Sequence, residues 1–407
     1  MYKKKRTFFK WAQETVIKSS ETFSFIFHDV IAGLKTTMEK ITIAPFYHIN
    51  TTGVSHANDT LYGEYAELRQ SLKIMSLIVY CLAFVLGVLG NGVVIWVTGF
   101  KMKKTVNTVW LLNLAVADFL FTAFLPLIVT YTALNFHWPF GKFMCKLAYN
   151  INSLNMFVSV YILMVISVDR CVSVVWPVWA KNHRSVRKAS CVSLGVWVLA
   201  LILSTPNFIF SDTGPSHFDK DVINCLNNFA FSEDNKTPSV NQLRQLRNKA
   251  MTLRGFLLGF VVPFTVIVSC YAVIIHRLRR NRTLASKSSR PFKIIVAVIT
   301  TFFLCWAPYH IMALIEMVNF RPTYQRQTLH LVTAIGTPIA TSLAFLNSGL
   351  NPLLYVFMGQ DFKDRVHKSI LNVLENAFQD EVSRSHTFKK STVISKSNDK
   401  LVSDTSV

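Results

Sequence analysis

Seven apolar stretches separated by polar connections dominate the chain between Leu61 and Met358. They run over Ile74–Gly99, Val106–Leu134, Cys145–Val175, Ala189–Phe210, Arg254–Ile275, Pro291–Val318 and Thr328–Phe357. Each is roughly 20 or more residues, enough for a helix to cross a hydrocarbon core of about 30 Å. Backbone groups in lipid must be satisfied within the segment, which leaves helices as the open choice. The pattern therefore predicts an all-α membrane protein, a seven-transmembrane helix bundle. No internal repeat of the kind found in transporters is visible. After the seventh stretch, Phe362, Val366, Ile370 and Leu374 recur at helical spacing among basic residues, predicting a short amphipathic helix on the membrane surface. The expected division is an extracellular tail over 1–71, the bundle over 72–358, and the amphipathic helix with a cytoplasmic tail over 359–407.

Composition agrees with that pattern. The chain is 51% hydrophobic and 16% charged, too apolar for a soluble protein of 407 residues. Its net charge of +21 would suit nucleic acid, but the placement of the charges does not. Basic residues crowd alternate connections, at Lys101, Lys103 and Lys104, at Lys181 to Lys188, at Arg277 to Lys293, and at Lys363 to Lys368. The opposite connections mix signs. Basic loops face the cytosol, so the N-terminus is expected outside and the C-terminus inside a plasma-membrane protein. Acceptor sequons at Asn50, Asn58 and Asn235 fall on the same outer side, where glycosylation occurs, although Pro238 weakens the third. The first 37 residues open on a basic run with Phe8, Phe9 and Trp11. They read either as an amphipathic extension or as sequence upstream of a start at Met38, and the second is the expectation.

Seven cysteines divide by compartment. Cys81, Cys171, Cys191, Cys270 and Cys305 lie in the spans or at their inner ends and are expected to be small buried apolar residues. Cys145 and Cys225 both face the oxidising side, which predicts a disulfide between them, pinning the long second outer loop across the mouth of the bundle.

Polar residues inside the spans need partners. Asp118 lies mid-span, and Asn91, Asn155, Ser159, Asn347, Ser348 and Asn351 supply neutral oxygens in neighbouring spans. The residue types leave two readings open, a site for a small hard cation or a hydrogen-bonded packing network. Pro126, Pro206, Pro263, Pro308 and Pro352 interrupt long spans and predict kinks. No nucleophile, base and oxyanion donors gather at one depth, so an enzyme is not expected.

Several motifs in fixed order resemble the rhodopsin-like G-protein-coupled receptors. They are Gly90-Asn91, Leu114-Ala-Val-Ala-Asp118, Asp169-Arg170-Cys171, Trp197, Pro263 with Tyr271, Cys305-Trp306-Ala-Pro308, and Asn351-Pro352-Leu-Leu-Tyr355. Phe100 to Trp110, Pro177-Val-Trp179 with Asn182 to Arg187, and Phe357 to Lys363 are similar to the chemoattractant branch, which includes the chemerin and formyl-peptide receptors. The resemblance implies activation and G-protein coupling through Asp169, Arg170, Tyr271, Trp306, Pro308, Asn351, Pro352 and Tyr355. It implies an allosteric sodium ion held by Asp118, Asn155 and Ser159, and no other cofactor. An inhibitory heterotrimeric G protein is the expected partner on the inner side. Asn152 stands where amine receptors keep an aspartate, so the expected ligand is a peptide or small protein, met by Asn152, Glu316 and Arg254. Arg254 lies one position before the branch's pocket arginine, where this chain has Gly255. A scavenger receptor and a receptor for a lipid mediator are the alternatives. The intact Asp169-Arg170 argues against the scavenger. Finally, Ser383, Ser385, Thr387, Ser391, Thr392, Ser395 and Ser397 lie in a polar tail composed like a disordered segment. Besides a merely solvated tail, they suit phosphorylation and arrestin docking, each phosphate adding about −1.5 to −2 in charge.

Overall fold

The computed structural model describes residues 54–216, 219–230, 237–280, 289–319 and 327–358. For 54–66, 279–280, 289–294, 319, 327–331 and 355–358 only the backbone path is described. The amphipathic helix expected after Gln360, the tail hydroxyls, the sequons at Asn50 and Asn235, and the side chain of Tyr355 lie outside the described residues. Asn58 falls in the first turns of the first helix.

The elements in chain order are α1 (Val54–Trp96), α2 (Val106–Ala133), α3 (Gly141–Val175), the short α4 (Pro177–His183) and α5 (Val186–Phe210). A hairpin of β1 (Ser211–Pro215) and β2 (Ile223–Asn227) follows, then α6 (Pro238–Phe256), α7 (Val262–Arg280), α8 (Ser289–Asn319) and α9 (Gln327–Met358). A π turn, Leu257–Val261, joins α6 to α7, so the two run on as one helix. Among the described residues six of the long helical segments are long and apolar enough to cross a membrane. The seventh expected span corresponds to α9.

Burial shows which side of each helix faces which medium. On α1, Ser76, Tyr80, Ala83, Asn91 and Val94 are buried, while Ile74, Ile78, Leu82, Val85 and Leu89 stand exposed on the opposite face. Both series step at helical spacing. Apolar residues outward with some polar ones inward suit lipid as the surrounding medium. The central α3 packs on α2, α5 and α7, and α9 packs on α1, α2 and α8. Two glycines on α1 make its contacts with α2 and α9 close. A Cβ on Gly87 would stand 2.2 Å from a Thr122 methyl, and one on Gly90 would stand 2.7 Å from the Pro352 ring. Their missing side chains let α2 and α9 close on α1.

Local signals explain the helix ends. Thr105 caps α2 through a reciprocal box, accepting from the Thr108 N–H at 3.2 Å while its own N–H donates to Thr108 Oγ1 at 2.8 Å. Ser185 caps α5 by accepting from the Lys188 N–H. Pro177 opens α4 at a position where its missing N–H costs nothing. Gly141, with φ of 76°, turns the chain into α3.

Two expectations need correction. Of the five cysteines expected to be buried, only Cys305 is; Cys81 and Cys191 are exposed, and Cys171 and Cys270 are half-buried. A thiol is apolar enough to face lipid, so nothing drives it inward. The fifth helix begins at Pro238, sixteen residues before Arg254, because its outer extension is polar and hydropathy does not mark it. Pro263 lies inside the continuous helix Pro238–Leu278, two residues after the π turn that interrupts it. Pro338 lies inside α9 besides the proline expected there.

Candidate functional site

Three polar clusters lie along the bundle: one at the hairpin end, one in the core and one at the opposite, basic end. At the hairpin end, β1 and β2 pair antiparallel with Thr213 opposite Cys225. Cys225 is bonded to Cys145 on α3, with a Cα–Cα separation of 5.7 Å. The pairing expected from compartment alone is thus present. The backbone N–H of Trp138 donates to the Ile223 carbonyl at 2.7 Å, and the Ile223 N–H donates to His137 Nδ1 at 3.2 Å. The hydroxyls of Tyr131 and Tyr149 reach the Cys225 carbonyl from below. Lys142 pairs with Asp212 at 2.9 Å.

Partial burial alone would raise the Asp212 pKa. The Lys142 ammonium and the Thr213 N–H outweigh it and hold the carboxyl below the usual range. A depressed carboxylate adds stability that is complete above its unfolded pKa of about 3.9. That contribution is lost as pH falls through the folded value. The Lys142 tether should therefore persist at pH 5, and its loss should appear only below about pH 4. Thermal melting of wild type and Asp212→Asn against pH checks this: their difference should be constant from pH 7 to 5 and shrink below. A difference that vanishes by pH 5 would refute it.

Beneath the hairpin, the expected ligand residues are only partly gathered. Glu316 is exposed and accepts from Thr337 Oγ1 at 2.8 Å, tying α8 to α9. Asn152 on α3 is half-buried, with a buried Oδ1 that has no partner. Arg254 turns toward α5, not into open space. Its guanidinium donates to the Leu203 carbonyl and to Asn207 Oδ1, and lies over the Phe157 ring at 5.8 Å. His310 was not foreseen. It is buried one turn beyond Trp306 on α8, within 5.1 Å of Phe260 and 5.7 Å of Tyr309, and its Nε2 has no partner. The i, i+4 spacing from Trp306 was the available signal, since it puts both rings on one face.

The core cluster brings the expected ion residues together. Asn351 donates to Asp118 Oδ2 at 2.8 Å, and Asn91 donates to the Ser348 carbonyl at 3.0 Å. In one orientation the Asn155 amide donates to Ser348 Oγ at 2.9 Å and accepts from Ser159 at 3.3 Å. Turned over, it donates to Asp118 Oδ1 at 3.2 Å and to the Ala117 carbonyl, and accepts from Ser348. The second orientation is the physical one, because it gives the buried carboxylate a second donor. Among the described residues no lysine or arginine pairs with Asp118. Asn91, Asn347 and Asn351 each keep an Oδ1 that is buried without a donor. A buried carboxylate with spare neutral oxygens is a donor set that fits a hard cation.

At the basic end, Asp169 and Arg170 lie near the end of α3. Tyr271 is buried on α7 beside Ser167. Trp306 is buried mid-α8, two residues before Pro308, with the Phe302 and Tyr309 rings around it. Pro352 packs on α1 at Gly90. Trp197 on α5 donates to Asn113 on α2 at 2.9 Å.

The 7 transmembrane receptor (rhodopsin family) profile matches residues 90–355, which contain all three clusters. The chain belongs to the rhodopsin family of seven-transmembrane receptors. It is a multi-pass membrane receptor that couples to G proteins, and not an enzyme. The receptor is 46% identical over 319 residues to chemerin-like receptor 1 of Sus scrofa, covering 77% of this chain and 85% of that one. Against chemerin-like receptor 1 of Homo sapiens it is 46% identical, covering 77% and 82%. N-formyl peptide receptor 3 of Homo sapiens is 41% identical, covering 79% and 89%.

Proposed function

We propose that the receptor sits in the plasma membrane with its N-terminus and hairpin outside, and that it binds a chemoattractant peptide or small protein of the chemerin kind. The pinned hairpin carries this reading. Tied to α3 by Cys145–Cys225 and to the α2–α3 turn by the His137 and Trp138 bonds, it forms a fixed wall at the bundle mouth. A preorganised wall loses little entropy when it meets an extended guest. Glu316 offers a negative rim, while the carbonyl and amide partners of Arg254 leave its charge uncompensated farther in. Helix ends at the basic face, including Arg170 and Tyr271, receive an inhibitory G protein. The tail hydroxyls, once phosphorylated, recruit arrestin.

Asp118, Asn155 and Ser159 would hold a sodium ion, which supplies a positive charge to an otherwise uncompensated carboxylate. Through it the core favours one bundle arrangement over another, by the difference in ion affinity between the two.

The test is inhibition of cyclic AMP in transfected cells exposed to chemerin, to a formylated peptide and to a panel of fatty-acid carboxylates. Glu316→Lys should cut the potency of a peptide agonist about 30-fold, or about 2 kcal/mol. That is the low end for a desolvated pair, as befits a residue exposed before binding. A response to the fatty acids alone, enhanced by Glu316→Lys, would establish the lipid reading instead. Binding of chemerin with no G-protein response of any class would mean a scavenger.

A further inference from the structure

Asp169 is paired with Arg184 and not with its chain neighbour Arg170. Arg184 Nε donates to Asp169 Oδ1 at 2.9 Å, and its Nη2 donates to Oδ2 at 3.0 Å, so both carboxylate oxygens are engaged. The same Nη2 reaches Asn107 Oδ1 on the first turn of α2 at 2.6 Å. Arg170 donates to that same Asn107 oxygen, and its Nε is buried without a partner. One amide oxygen thus accepts from two guanidinium groups, an arrangement that places like charges together. It is sustained because the Asp169 charge lies against Arg184. The local fold puts Arg184 there: α4 runs from Pro177 to His183, Arg184 leaves it in extended conformation, and Ser185 starts α5.

We propose that Arg184 is a positioning residue for G-protein coupling: by occupying Asp169 it keeps Arg170 on Asn107, free of its neighbouring carboxylate. Without Arg184, Asp169 is left one residue from a guanidinium and takes it. Arg170 is then withdrawn from the face that meets the G protein. Lysine is a poor substitute, since one ammonium cannot bridge two carboxylate oxygens and the amide as a planar guanidinium does. The proposal rests on coupling through the basic end of the bundle.

The experiment measures agonist-free nucleotide exchange on a panel of purified G proteins of the inhibitory, stimulatory and phospholipase-activating classes. The full-length receptor is used in nanodiscs. Arg184→Ala should lower exchange about tenfold, and Arg184→Lys should restore part of it. In an Asp169→Asn background there is no carboxylate to recapture Arg170, so adding Arg184→Ala should change exchange less than twofold. A second readout does not depend on coupling. Amide hydrogen exchange in α4 should quicken equally in Arg184→Ala and Asp169→Asn, and no further in the double variant. An equal tenfold loss in both backgrounds would mean that Arg184 touches the G protein itself, and would overturn the proposal. So would unaltered exchange in Arg184→Ala. A wild-type receptor that activates no member of the panel refutes the coupling reading, and the proposal falls with it.

Discussion

Cys145→Ala and Cys225→Ala should each reduce chemerin potency at least 100-fold, and the double variant should be no worse than either. The bond closes a segment of 80 residues. A free chain of that length would lose about 4 to 5 kcal/mol of its loop-closure entropy to the cross-link. The helices between the two cysteines are already held by the bilayer, so little of that difference appears as unfolding. It appears as freedom of the hairpin. Cutting the bond leaves β1 and β2 to the non-covalent contacts of His137, Trp138, Lys142, Tyr131 and Tyr149. The measurement is binding of labelled chemerin to receptor counted at the cell surface through an N-terminal tag, which separates lost affinity from lost expression. Wild-type affinity in the double variant would show that the hairpin does not form part of the binding wall. Non-additivity matters as much as magnitude, because both cysteines serve one bond.

Asp118→Asn should remove the sodium dependence of agonist affinity. In wild type, affinity should fall about tenfold, or 1.4 kcal/mol, between sodium-free and physiological sodium, a usual size for coupling between two sites. N-methylglucamine should replace sodium at constant ionic strength, so that screening of surface charge stays fixed. Asparagine keeps the shape of the side chain and its hydrogen bond to Asn351 but removes the charge that the ion would answer. A sodium response in Asp118→Asn equal to wild type would rule out this cluster as the ion site. Affinity insensitive to sodium in both proteins would leave the cluster as a packing network.

The spans were legible because crossing a bilayer is a local requirement. Some 20 apolar residues must follow one another, and neighbours are not needed to see them. The same locality hid the outer part of the fifth helix. Pro238 to Leu253 is polar, so hydropathy passes over it, although nothing in it stops a helix once Pro238 has started one. The Cys145–Cys225 bond was legible by compartment, since it required only knowing which side each loop faces. Asp118 stood out because a carboxylate in an apolar run is costly, and its companions came from the same argument.

What the residues alone determined, then, was the number and order of the spans, the one disulfide, and the membership of the core cluster. The tertiary structure decided everything that depends on which way a side chain turns. Arg254, expected to meet a ligand, rests on the Leu203 carbonyl, near Pro206 of α5. His310 lies closed in by rings from two other segments. Glu316 is held by a threonine 21 residues away on the next helix. Asp169 chose Arg184, fifteen residues along, over the arginine beside it. Side chains of adjacent residues on a helix diverge by about 100°, so although a long guanidinium next door stays within reach, a residue across a turn makes the better two-pronged approach. The partner of a charge is set by the direction from which another helix arrives, and no spacing along one strand of sequence contains that direction.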